Sequence, residues 1–168
     1  MRRSGMLGLM VVGLLAGCAG ADWKSTEEAG GGSVAVRLSA TRVNTGEIGL
    51  AMLTPLRDGT GVTVEVSGVP SPSTRPVHLY TYIHEGTCDA LNPTPAYTLT
   101  DRVLAESLNT FPMAASAGPP LKVSNTAPVP LATLRSRPNA IVVRSAPADG
   151  NRAIFCGDID SRGTTASP

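Results

Sequence analysis

Apolar residues recur at every second position along much of this chain. Val34, Val36 and Leu38 alternate with Ala35 and Arg37. Between Gly46 and Pro55, Ile48, Leu50 and Met52 share one parity, and Arg57-Asp58-Gly59-Thr60 then reads as a turn of the Asp-Gly kind. Val62, Val64 and Val66 alternate with Thr63, Glu65 and Ser67. A loop containing Pro70, Pro72 and Pro76 leads into the stretch from Pro76 to Cys88. There Val77, Leu79, Thr81 and Ile83 fall on one side of an extended backbone, and His78, Tyr80, Tyr82 and His84 on the other. Such a strand buries its aliphatic side and presents histidine and tyrosine outward.

Further strands are predicted from Tyr97 to Val103, Asn139 to Arg144 and Arg152 to Ile159. Asn92-Pro93-Thr94-Pro95 and Gly118-Pro119-Pro120 read as loops, and the region from Ser107 to Pro130 carries no clear pattern. No long stretch keeps a helical period without a proline or glycine interrupting it. About eight short strands separated by turn signals predict an all-β fold, an eight-stranded antiparallel Greek-key barrel or sandwich.

The start of the chain follows a different pattern. Arg2 and Arg3 precede an apolar run from Met6 to Leu15, followed by Ala16-Gly17-Cys18. A short positive region, about ten apolar residues and a small-residue cleavage site make a secretory signal. The run is too short for a membrane helix, which needs roughly 20 apolar residues. Leu15-Ala16-Gly17-Cys18 resembles the lipobox of bacterial lipoproteins, which implies removal of residues 1–17 and acylation of Cys18, with palmitate among the usual chains. Two or more acyl chains hold a protein stably at a membrane. Ordinary cleavage after Ala19-Gly20-Ala21 is the alternative. Ala19 follows the cysteine where an aspartate would favour inner-membrane retention, so the resemblance implies the outer membrane, facing the periplasm. Residues 18–33, with Gly30-Gly31-Gly32-Ser33, read as a flexible tether. That leaves 34–160 as one folded domain and 161–168 as a tail expected to be disordered.

Charge excludes rather than selects. The 14 basic and 13 acidic residues become 12 and 13 once Arg2 and Arg3 are removed, a net charge of −1. Such a balance gives no argument for a nucleic-acid partner or an anionic surface. With Cys18 removed or lipidated, two of the three cysteines remain, Cys88 and Cys156. An exported chain meets an oxidising compartment in which such a pair closes, two unpaired buried thiols being the alternative.

His84-Glu85-Gly86-Thr87-Cys88, Ile141-Val142-Val143-Arg144 and Cys156-Gly157-Asp158-Ile159 together resemble the copper-zinc superoxide dismutase superfamily, over roughly Val34 to Ile159. The resemblance implies a flattened eight-stranded Greek-key barrel, with the family's disulfide falling on Cys88 and Cys156. It also marks departures. The first copper histidine of the central strand falls on Tyr82 and the second on His84. The copper ligand after Val-Val falls on Arg144, a permanent cation that repels a metal ion. The loop that should carry the bridging and zinc histidines contains none, since no histidine follows His84. The active-site arginine would land on Ala153, with Arg152 one place off.

Other chemistry is equally sparse. His78 and His84 are six residues apart, roughly 20 Å along a strand, and cannot hold one ion together. His84 with Tyr82, Glu85 or Asp158 is a weak metal candidate, against the alternative of a surface histidine hydrogen-bonded in a polar patch. Glu85 beside His84 points to the opposite face, and no Gly-x-Ser-x-Gly motif is present. Tyr80, Tyr82, His84 and Arg144 therefore form a candidate binding patch, tyrosine and arginine being favoured at binding hot spots. Arg135 and Arg137 read as solvated charges. The expectation is a membrane-anchored envelope lipoprotein whose barrel is non-catalytic, without cofactor, and serves a structural or binding role, an envelope protein or small ligand being the partner in the latter case. The alternative is a superoxide dismutase or copper-binding protein with an atypical site.

Overall fold

The computed structural model describes residues 32–71, 73–108 and 119–160. Residues 1–17, most of the tether including Cys18, and the tail from Ser161 lie outside them. The alternating stretches become strands β1 (Val34–Ala40), β2 (Ile48–Leu56), β3 (Gly59–Val66), β4 (Tyr80–Thr87), β5 (Ala90–Leu99), β6 (Glu106–Ser107), β7 (Leu121–Ala127), β8 (Asn139–Arg144) and β9 (Ala153–Ile159). A single-turn helix α1, Leu131–Arg135, and two 3-10 turns lie between them.

All nine strands join one antiparallel sheet in the order β5-β4-β8-β9-β1-β2-β3-β7-β6. The sheet curls into a half-barrel, and β5 comes into contact with β7. Three connections, β3 to β4, β5 to β6 and β7 to β8, cross between the two halves, so neighbours in space are often distant in sequence.

The inward parity forms the core. Val34, Val36 and Leu38 of β1, Val62, Val64 and Val66 of β3, and Leu79, Ile83, Ile141, Val143 and Phe155 are all buried. Each large aliphatic side chain removed from water contributes about 1.5–3 kcal/mol before chain entropy is subtracted. The central stretch divides where its prolines end. Val77 and Leu79 are buried as expected, but residues before Tyr80 make only an isolated bridge, His78 to Leu104.

Two strands depart from the sequence reading. On β2 the larger apolar side chains face outward, leaving Ile48, Leu50 and Met52 at 73%, 40% and 37% exposure while Ala51 and Leu53 are fully buried. Strand β5 runs straight through Asn92-Pro93-Thr94-Pro95, expected as a loop, and ends at Leu99 rather than Val103. It is an edge strand with β4 as its one ladder partner, so the missing proline N–H groups interrupt no second ladder.

Strands β1 and β9 pair in register only at Ser39–Cys156 and Ala40–Phe155. Gly157 then lies against the carbonyl of Arg37, where a Cβ would collide with backbone. At this junction Cys88 and Cys156 form a disulfide across 68 residues of sequence, joining the segment after β4 to β9. The paired-cysteine expectation holds, and the free-thiol alternative does not.

Candidate functional site

The patch is built on β4, between β5 and β8. Antiparallel register sets Tyr80 opposite Arg144, Tyr82 opposite Val142, and His84 opposite Ala140 on one side and Pro95 on the other. The alternation therefore gathers Tyr80, Tyr82, His84 and Arg144 on one face, as the sequence predicts. Arg144 carries its guanidinium carbon 6.0 Å from the centre of the Tyr82 ring, and its Nη1 donates to the Asn151 carbonyl at 3.1 Å. A guanidinium over a tyrosine face is attracted by the ring's quadrupole, about 0.5–1 kcal/mol where solvent reaches the pair. Tyr82 in turn meets His84 edge-on, with ring centres 6.4 Å apart at 62°.

His84 is not the surface residue expected from sequence. It is 3% exposed, although Tyr80, Tyr82 and Arg144 on the same face are half-buried. The cause lies in its neighbours. The β4–β5 register shifts on both sides of His84, and Ala140 opposite it is too small to hold it outward. The prolines of β5 carry the backbone past the ring, and His84 Nδ1 lies 2.8 Å from the Asn92 carbonyl oxygen. A carbonyl can only accept, so Nδ1 carries the hydrogen. Nε2 is buried and has no hydrogen-bond partner.

The remaining candidates are committed elsewhere. Glu85 forms an ion pair with Arg137, Oε1 to Nη1 at 2.8 Å. Asp158 Oδ1 accepts from the Cys88 backbone N–H at 2.7 Å, buttressing the disulfide. Arg135 Nε donates to the Asp160 carbonyl, so neither Arg135 nor Arg137 is merely solvated. Among the described residues no group of three or more His, Cys, Asp or Glu converges on one point. A copper or zinc centre takes three or four donors. One imidazole nitrogen with a tyrosine ring edge-on beside it does not fit that requirement.

No family model, curated protein or solved structure matches this chain. What the patch offers is thus read from its own chemistry: an aromatic face, a positioned cation and a histidine locked in one orientation.

Sequence reasoning missed two features. One is the Asn92 carbonyl that fixes His84, hidden because Asn-Pro-Thr-Pro reads as a turn. The other is a clamp between distant loops, in which Asp149 Oδ1 accepts from Thr74 N–H at 3.0 Å and from Thr74 Oγ1 at 2.6 Å. Those hydrogen bonds, first the hydroxyl's and then the amide's, hold the Asp149 carboxyl below the usual carboxylate range, helped by the charges of Arg152 and His78. An isolated aspartate after Pro147-Ala148 gives no sequence signal of this.

Proposed function

We propose that the chain is an envelope lipoprotein, acylated at Cys18, whose β-domain is a non-catalytic member of the superoxide dismutase superfamily serving as a binding module. The observation that carries the reading is the Arg144 guanidinium held 6.0 Å from Tyr82 on the strand pair where the family resemblance expects copper. A permanent cation there favours an anionic or aromatic group over a metal ion. The finer fold belongs to the same proposal. Setting aside the two-residue β6 leaves eight strands, and the crossing connections and the Cys88–Cys156 link agree with a Greek-key barrel of that superfamily.

Its partner is an envelope protein or small ligand engaged by Tyr80, Tyr82 and Arg144, with His84 as a rigid backing. The location rests on the residues around Cys18, and no nucleic-acid partner is proposed. Two measurements test this. Labelled palmitate should enter the full chain and be lost in Cys18→Ala. Replacing both Tyr82 and Arg144 by alanine should weaken capture of the partner from envelope extracts at least tenfold while changing thermal stability by roughly 1 kcal/mol or less. Unchanged capture removes the patch from consideration.

A second reading, a superoxide dismutase or copper-binding protein with an atypical site, is favoured by one observation. His84 Nε2 is buried, unprotonated when the ring is neutral, and without a partner. Dismutation of superoxide by the copper-loaded full chain, abolished in His84→Ala, would establish that reading. Dismutation indistinguishable from free copper at the same concentration would dismiss it.

A further inference from the structure

We propose that the outer face of β2 is a two-fold interface between two copies of this chain. Ile48, Leu50 and Met52 point outward in one line and remain exposed, and Leu56 lies on the same face beyond Thr54. A shallow depression of about 630 Å³ includes Ile48, Leu50, Arg37 and Glu65. Monomeric proteins rarely leave so continuous an apolar stripe uncovered on a sheet face.

The flanking charges identify the occupant. In register, Arg37 of β1 lies on one side of Leu50 and Glu65 of β3 on the other. Among the described residues neither takes part in an ion pair. Two copies can pack face to face about a two-fold axis running along β2. Leu50 then meets Leu50 of the other copy, and each Arg37 meets the opposite Glu65. Facing sheets stack about 10 Å apart, a gap that an arginine and a glutamate together span. A two-fold axis across the strands instead sets Arg37 on Arg37 and Glu65 on Glu65, so the charges select the first arrangement.

The rows above and below are small and uncharged at their margins: Ala35 and Thr63 flank Met52, and Ser39 flanks Ile48. They let two convex sheets approach along β2. Glu65 lies directly opposite Lys122 of β7, so the row carries charges of both signs, which suits a lipid surface less well than a second copy of the same row.

The full chain in mild detergent, studied by sedimentation equilibrium, should be a dimer. Arg37→Glu and Glu65→Arg should each weaken association by about tenfold. The double variant should return it to near the wild-type value, since the pair is restored with its signs exchanged. Both positions are at the surface, and unchanged circular dichroism will show that the variants fold. In intact cells Leu50→Cys should yield, on mild oxidation, a species of twice the chain's mass that the unsubstituted chain does not give. A monomeric wild type with no cross-linked species, a double variant as weak as the single ones, or a Leu50→Asp variant that leaves vesicles without any change in mass would each overturn the interface.

Discussion

Single residues hold the β4 end of the molecule in place. Gly86 follows the shifted register around His84 with φ of 99°, and a Cβ there would collide with the Ala90 carbonyl. An alanine must therefore either strain the backbone or open the β4–β5 hairpin. Gly86→Ala should cost about 1–3 kcal/mol by chemical denaturation, a range typical of a side chain forced into a sparsely populated conformation. The same change at Gly46, where φ is 92° but no atom lies near, should cost less. At Asp149 the expected effect depends on pH. Its folded-state pKa is depressed, so its contribution is fully present above the ordinary carboxylate value and fades as pH falls through the folded value. The denaturation midpoint of Asp149→Asn should thus lie below wild type at pH 6, and the two should converge in strong acid. A difference that persists unchanged at pH 2 would mean the carboxylate's charge is not what Thr74 recognises.

At the scale of elements, period-two patterning was legible wherever one parity was clearly the larger. β1, β3 and the aliphatic side of β4 could be read directly, because Val, Leu and Ile alternate there with polar residues, and β8 as a short continuous apolar run, Ala140 to Val143. β2 could not. Both of its faces are apolar, and burial of Ala51 and Leu53 rather than Ile48, Leu50 and Met52 follows from register with β1 and β3, which local sequence does not encode. This predicts an inverted mutational pattern. Leu53→Ala should destabilise by about 2–5 kcal/mol, as a cavity in the core does, whereas Met52→Ala should change stability by at most about 0.5 kcal/mol. β5 was obscured for another reason: its prolines break a ladder in a central strand but not at an edge. The candidate site divides likewise. Strand parity put Tyr80, Tyr82 and His84 together and the register of β8 added Arg144. The burial of His84 depends on a shifted pairing with β5, which alternation alone cannot reveal.

For the whole molecule, the disulfide is the long-range tie. It joins the segment after β4 to β9 where β1 and β9 part, its two ends 68 positions apart in sequence. In the loop-entropy account such a link stabilises by about 4 kcal/mol, and reduction or Cys88→Ser with Cys156→Ser should lower the free energy of unfolding by up to that amount. A smaller loss would indicate that the unfolded chain keeps structure near the junction. The scaffold and the chemistry are separable. An all-β sheet stapled at this point is consistent with either reading of function, because a fold does not specify a reaction. The decision rests on the surroundings of His84, where Tyr82 lies between a single orphaned imidazole nitrogen and the Arg144 guanidinium. The most direct test is the metal content of the full chain after incubation with copper and zinc and exhaustive dialysis, measured by mass spectrometry beside His84→Ala. No retained metal above the variant's background is expected; one copper ion per chain, lost in His84→Ala, would contradict the non-catalytic reading.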